Sequence, residues 1–95
     1  MEAVEGSYFV EDDNKVFYQV LQASDGAVTV ARVGMRSYLL HGSPGVVHVP
    51  ERDAFVGEPF ERVVFKRGSG PYSEYIIITD TRRAYLADGC GEFDI

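Results

Sequence analysis

The chain has 95 residues, a net charge of −6 and one cysteine. That length makes one domain, which buries roughly 60–65% of its unfolded surface and needs no staple to hold a core. A single cysteine excludes an internal disulfide, the acidic balance opposes phosphate backbones, and no stretch nears the ~20 apolar residues of a membrane helix.

The opening Met1-Glu2-Ala3-Val4-Glu5 is acidic and lacks the apolar stretch of a secretory signal. Residues 1–6 are expected to be a flexible lead-in. Tyr8 to Glu11 reads as a first strand, Asp12-Asp13-Asn14-Lys15 as a polar loop, and Val16 to Gln22 as a second strand in hairpin with the first. Val16, Tyr18 and Val20 alternate with Phe17, Gln19 and Leu21, so both faces of the second strand are largely apolar. A strand of that kind is central and covered on both sides.

Ser24-Asp25-Gly26 is a turn, because glycine accepts positive φ and aspartate caps its own turn. Val28 to Val33 is a third strand paired with the second. Gly34 interrupts it and marks a bulge or bend, after which Ser37 to His41 continues. Gly42-Ser43-Pro44-Gly45 turns the chain into a short strand, Val46 to Val49, expected to stop at Pro50. Glu51 to Phe55 is expected to form one helical turn, which Gly57-Glu58-Pro59 prevents from extending. Phe55, Val56 and Phe60 are expected to pin this loop across an open barrel end.

Arg62, Val64 and Lys66 alternate with Val63, Phe65 and Arg67, the pattern of a half-buried strand. Gly68-Ser69-Gly70-Pro71 is a loop. Tyr75 to Thr79 is the most strongly β segment and is expected in the core. Asp80 to Arg83 turns, Ala84 to Ala87 is strand or a single helical turn, Asp88-Gly89 turns again, and Phe93 packs back. The sum is an all-β chain of about five to seven strands, a curled antiparallel sheet or small SH3-like barrel.

Charge is unevenly placed along this frame. Residues 1–31 hold six acids against Lys15, residues 32–87 hold eight bases against six acids, and residues 88–95 hold three acids and no base. Two acidic segments follow, Glu11-Asp12-Asp13 and Asp88, Glu92 and Asp94. They suit a partner with a basic surface.

Chemistry-bearing residues are few. His41, His48 and Cys90 show no metal-ligand spacing. Cys90 lies between two glycines, but a cysteine nucleophile needs a base beside it in space. The glycine-rich loop after Arg67 leads to a strand, whereas a phosphate cradle opens a helix. No catalytic residue, metal or cofactor is assigned. The chain has six tyrosines and six phenylalanines; Tyr38, Tyr72 and Tyr85 lie near turns, where tyrosine gives large contact area at low entropic cost. Aromatics beside Arg32, Arg36, Arg62 and Lys66 could stack single-stranded nucleic acid, but the pI near 4.7 disfavours it.

Taken together, Val16-Phe17-Tyr18-Gln19-Val20, Val28 to Gly34, Asp53-Ala54-Phe55-Val56-Gly57-Glu58-Pro59-Phe60, Tyr75 to Ile78 and Leu86-Ala87-Asp88-Gly89 resemble a family of small uncharacterised proteins of bacterial phages and mobile elements. The resemblance spans about residues 16–90 and departs at Leu86-Ala87, where a tryptophan is expected before Asp-Gly. It implies a setting, the cytoplasm of a bacterial host, and transfers no active site. The expected function is non-enzymatic binding by an acidic protein. It would act as a counter-defence inhibitor of the anti-CRISPR kind, occupying a basic surface of a host nucleic-acid-binding protein. The alternative is a structural or adapter module that forms a homodimer or pairs with another phage protein.

Overall fold

The computed structural model describes residues 3–11, 16–39, 42, 46–68 and 73–87; for Tyr38, Val46 and Val47 it describes the backbone alone. Eight strands and no helix occur among them: β1 (Tyr8–Glu11), β2 (Phe17–Ser24), β3 (Ala27–Leu39), β4 (Val46–Phe55), β5 (Phe60–Val63), β6 (Phe65–Lys66), β7 (Glu74–Thr79) and β8 (Arg82–Leu86). All pairings are antiparallel, in the order β4-β3-β2-β1-β8-β7-β6, with β5 on β3.

Segment 60–66 curls this sheet back towards itself. Its first half pairs with β3 and its second half with β7, and Val64 lies between the halves. The Val64 N–H donates to Gly26 O at 2.7 Å, which turns the segment from one neighbour to the other. β5 and β6 are therefore halves of one rung.

The β2–β3 hairpin closes on Asp25-Gly26, with Ser24 opposite Ala27 and φ of 42° and 84° at the two turn residues. Positive φ at both is the twisted two-residue turn that matches strand twist, and an Asp-Gly pair is suited to it. Leu21 bulges out of β2, since Val20 faces Val30 while Gln22 faces Thr29.

Alternation along β1, β2 and β3 feeds two apolar clusters, one on each face. Phe9, Tyr18, Val20, Val28, Val30, Ile76, Ala84 and Leu86 fill the inside of the curl, with Val64, Phe60 and Ile78 packed against them. Tyr8, Val10, Phe17, Val33 and Ala87 form a second cluster on the outer face. β2 is thus covered on both sides, as its sequence implies. The lead-in is not loose over residues 3–6: Ala3 is 2% exposed within the inner cluster and the Gly6 N–H donates to Val20 O at 2.9 Å.

Residues 46–56 differ from expectation. The strand does not stop at Pro50, which faces Met35 within β4. β4 ends the strand order, and an edge tolerates a missing donor. Residues 51–55 make no helical turn. Val33 faces Phe55 and Met35 faces Pro50, so four residues of β4 oppose Gly34 alone. The surplus folds over the outer face as a strap, and Gly34 admits it: a Cβ there would lie 3.3 Å from Glu51 Oε1. Asp53 takes φ of 63° at its crest. Phe55 and Val56 do not pin an open end; both are exposed, and only Phe60 packs inward, edge-on to Tyr18.

The segment expected wholly in the core is split by face. Ile76 is fully buried while Ile77 is 37% exposed, because β7 is covered on one side only. Residues 82–86 are strand throughout. The Asp12–Lys15 loop, His41, Cys90, Asp88-Gly89 and Phe93 lie outside the described residues.

Candidate interaction surface

Strand register aligns one row of side chains across the outer face. Phe65 faces Tyr75, Tyr75 faces Tyr85, Tyr85 faces Val10, Val10 faces Phe17, Phe17 faces Val33, and Val33 faces Phe55. The middle of the row, Val10 to Val33, is buried in the outer cluster. Its two ends are open. Phe55 stands at one end and an aromatic ladder at the other, where Phe65 and Tyr75 stack with centroids 5.5 Å apart and Tyr75 and Tyr85 lie 5.7 Å apart.

The ladder is apolar and cationic at once. Phe65 is 42% exposed, and Val63 and Ile77 beside it are 59% and 37% exposed. The Arg83 guanidinium lies 5.2 Å from the Tyr75 centroid. Arg67 continues the β6–β7 pairing through its N–H to Ser73 O and falls, by alternation, on the Phe65 face. Both arginines are exposed, and Glu61 is the acid that alternation places on this face of segment 60–66.

Expected site residues fall in different places. Glu11 is not a free acidic contact. It is 8% exposed and points into the curl, where Tyr18 Oη donates to its Oε2 at 2.7 Å and Arg82 grips both carboxylate oxygens. The Arg82 hydrogen bond holds its carboxyl below the usual carboxylate range, against the opposing effect of burial. Burial, then the Glu11 carboxylate, push the Tyr18 hydroxyl up to about 12. The triad is a satisfied internal network, which inward alternation from Phe9 to Glu11 requires. Tyr85 stands in the ladder, half-buried. Asp12, Asp13, Tyr72, Asp88, Glu92 and Asp94 lie outside the described residues, as does the side chain of Tyr38.

Sequence reasoning missed Phe65, Tyr75, Ile77 and Arg83. Alternation in 61–67 and 75–79 signals two faces, but a ladder of three strands becomes visible only once register is known.

Two polar arrangements complete the outer face. Gln19, 5% exposed, donates through Nε2 to Asp53 Oδ1 and accepts from the Asp53 N–H, both at 2.8 Å. Arg52 lies 5.1 Å from the Tyr8 centroid. Together they tie the strap over β2 and β1 beside an open depression lined by Gly6, Gln19, Arg52 and Asp53. Separately, Ser37 Oγ and His48 Nδ1 lie 2.7 Å apart across β3 and β4, exposed to solvent. Among the described residues no group of three or more histidines, cysteines or carboxylates could hold a metal ion, and no helix is long and apolar enough to cross a membrane. Compared with known protein families, curated proteins and solved structures, the chain matches none.

Proposed function

We propose that this chain is a non-enzymatic binding protein that docks a protein partner on the Phe65–Tyr75–Tyr85 ladder. The carrying observation is the stacked aromatic row, open to solvent and flanked by Val63, Ile77, Arg67 and Arg83. Contiguous apolar surface rimmed by polar groups marks association sites, and tyrosine and arginine are favoured where association energy concentrates. The arginine rim selects a partner segment that offers apolar side chains and carboxylates.

The charge logic is thereby turned around. The chain as a whole is acidic, yet its open aromatic face is cationic at the rim. Nucleobases could also stack on such a ladder, but a net charge of −6 repels the phosphates that supply most of that affinity. In a phage or mobile-element setting within a bacterial cytoplasm, the partner is a host or phage protein.

Inhibition of a basic host protein through acidic segments is the competing reading, and salt and mutation separate the two. The tagged protein is cross-linked in bacterial lysate at ~50 and ~300 mM salt, which shortens the screening length about 2.4-fold. A partner lost on Tyr75→Ala or Phe65→Ala, and retained by Asp12→Asn with Asp13→Asn, supports the ladder. A partner lost with the two acid substitutions and at high salt, but indifferent to Tyr75→Ala, overturns it in favour of the acidic segments. Single-stranded oligonucleotide binding that Tyr75→Ala abolishes overturns the choice of a protein partner.

A further inference from the structure

We infer, taking the ladder as the association site, that this site is self-regulated: residues 88–95 of the same chain fold back on Phe65, Tyr75 and Tyr85, and a partner must displace them.

The ladder calls for apolar side chains joined to carboxylates, because its rings are rimmed by Arg67 and Arg83. Arg83 is in register with Ile77 on one flank of the row. Arg67, two places past Phe65 and hydrogen-bonded to Ser73, stands on the other. A segment crossing the row thus meets a guanidinium on either side. Residues 88–95 supply the matching chemistry. They hold Asp88, Glu92 and Asp94 with no base, and Phe93 and Ile95 alternate with two of those acids. Extended, Glu92 to Ile95 turns its apolar pair to one side and its carboxylates to the other. The other acidic segment, Asp12 to Lys15, has no apolar side chain and carries a base.

Position favours the same occupant. Ala87, the last described residue, lies two places past Tyr85, so the segment starts beside the ladder. Ala87 belongs to the outer cluster, and its N–H donates to Tyr8 O at 2.9 Å. Inside the curl, Ala3 is packed in the cluster that holds Leu86, so that face is taken. Gly89 and Gly91 accept the positive φ that a reversal uses. Four extended residues span ~13 Å, while the two centroid steps of the ladder are 5.5 and 5.7 Å. Residues 88–91 can therefore reverse the chain and residues 92–95 can cross the row.

Tethering makes weak contacts count. A short tether sets a local concentration of ~1 mM, so a segment whose free dissociation constant is ~1 mM covers the ladder about half the time. A partner then binds about twofold more weakly than it would to an uncovered ladder.

Nuclear magnetic resonance of the full chain reads the contact directly. Nuclear Overhauser cross-peaks from Phe93 or Ile95 to the rings of Phe65, Tyr75 or Tyr85 are expected within one chain. They should vanish in Phe93→Ala with Ile95→Ala, and weaken in Arg67→Gln with Arg83→Gln, which keeps every ring of the ladder. Partner capture from bacterial lysate should rise about twofold in the Phe93→Ala, Ile95→Ala chain. Absence of these cross-peaks overturns the inference. So do cross-peaks that arise only between differently labelled chains in a mixture, and capture that the Phe93→Ala, Ile95→Ala pair leaves unchanged. Capture indifferent to Tyr75→Ala, with the cross-peaks present in the native chain, overturns the ladder as the association site instead.

Discussion

The two halves of the sheet share an interior but differ outside. Over β1, β2 and the first part of β3, the outer face is a second core: Tyr8, Val10, Phe17 and Val33 are all nearly inaccessible. Over β6 and β7 the same face is open, and Phe65 and Ile77 are 42% and 37% exposed. One cause is the strap. The four residues of β4 opposite Gly34 fold across β2 and are held by Gln19, while no described segment reaches across β7. A face that is covered stabilises the fold; a face of the same chemistry left open is available for association.

Deleting bulk from the shared interior should cost most. Phe9 is fully buried between the inner cluster residues of β2 and β8. Phe9→Ala should destabilise by about 3–5 kcal/mol in urea unfolding. A loss under ~1 kcal/mol, the scale of a surface change, would mean that the interior is not packed as described.

Next comes the internal triad. Glu11→Ala leaves the Tyr18 hydroxyl without its acceptor and should cost about 1–3 kcal/mol, with half-exposed Arg82 recovering water. The pH dependence has a definite sign. Glu11 titrates below its ordinary value of 4.5 in the folded state, so its contribution is present above 4.5 and lost as pH falls through the folded value. The stability gap between the native chain and Glu11→Gln should therefore shrink in acid. Tyr18 acts oppositely. Its raised value of about 12 makes its contribution present below 10 and lost as pH climbs from 10 through 12. A gap that stayed constant down to pH ~3 would break the assignment of Glu11 as an ionised internal partner.

Much of this fold was legible because side-chain period and turn chemistry are local. Tyr8–Glu11, the hairpin, the Asp25-Gly26 turn, double coverage of β2 and the interruption at Gly34 all follow from alternation and from which residues accept positive φ. What escaped was set by partners distant in sequence. Residues 51–55 resemble a helical turn, yet Asp53 finds Gln19, 34 positions away, and the backbone follows that pair. Glu11 reads as an acidic surface with Asp12 and Asp13, yet Arg82 lies 71 positions on. Tyr75 to Thr79 reads as core because its composition is apolar on both faces; only the sheet shows that one face is uncovered.

The strap itself yields a smaller effect. Gln19→Ala removes both hydrogen bonds to Asp53, but Asp53 is exposed and water replaces much of what is lost. About 1 kcal/mol is expected, together with faster amide exchange confined to residues 51–54. Exchange that quickened across all of β2 and β3 would show the strap to be part of the global unfolding unit rather than a local cover.

The smallest stability effect belongs to the ladder, and it sharpens the comparison most. Phe65 is opposite Tyr75 on a two-residue strand, and a cross-strand aromatic pair contributes roughly 0.2–1 kcal/mol. Phe65→Ala should lower the unfolding free energy measured in urea by no more than that, and Tyr85→Phe by less, since it keeps the ring against Tyr75. Partner binding should respond in reverse order of stability. Truncating an association hot spot costs ~2 kcal/mol or more, about thirtyfold in affinity, so Phe65→Ala should cripple binding in a chain that unfolds almost normally. Phe17→Ala lies in the same row but under cover, and should do the opposite, lowering stability several-fold more while leaving any folded fraction able to bind. If Phe65→Ala destabilised the chain as much as Phe17→Ala does, the open end of the row would be a structural extension of the covered one, and the distinction between the two halves would fall.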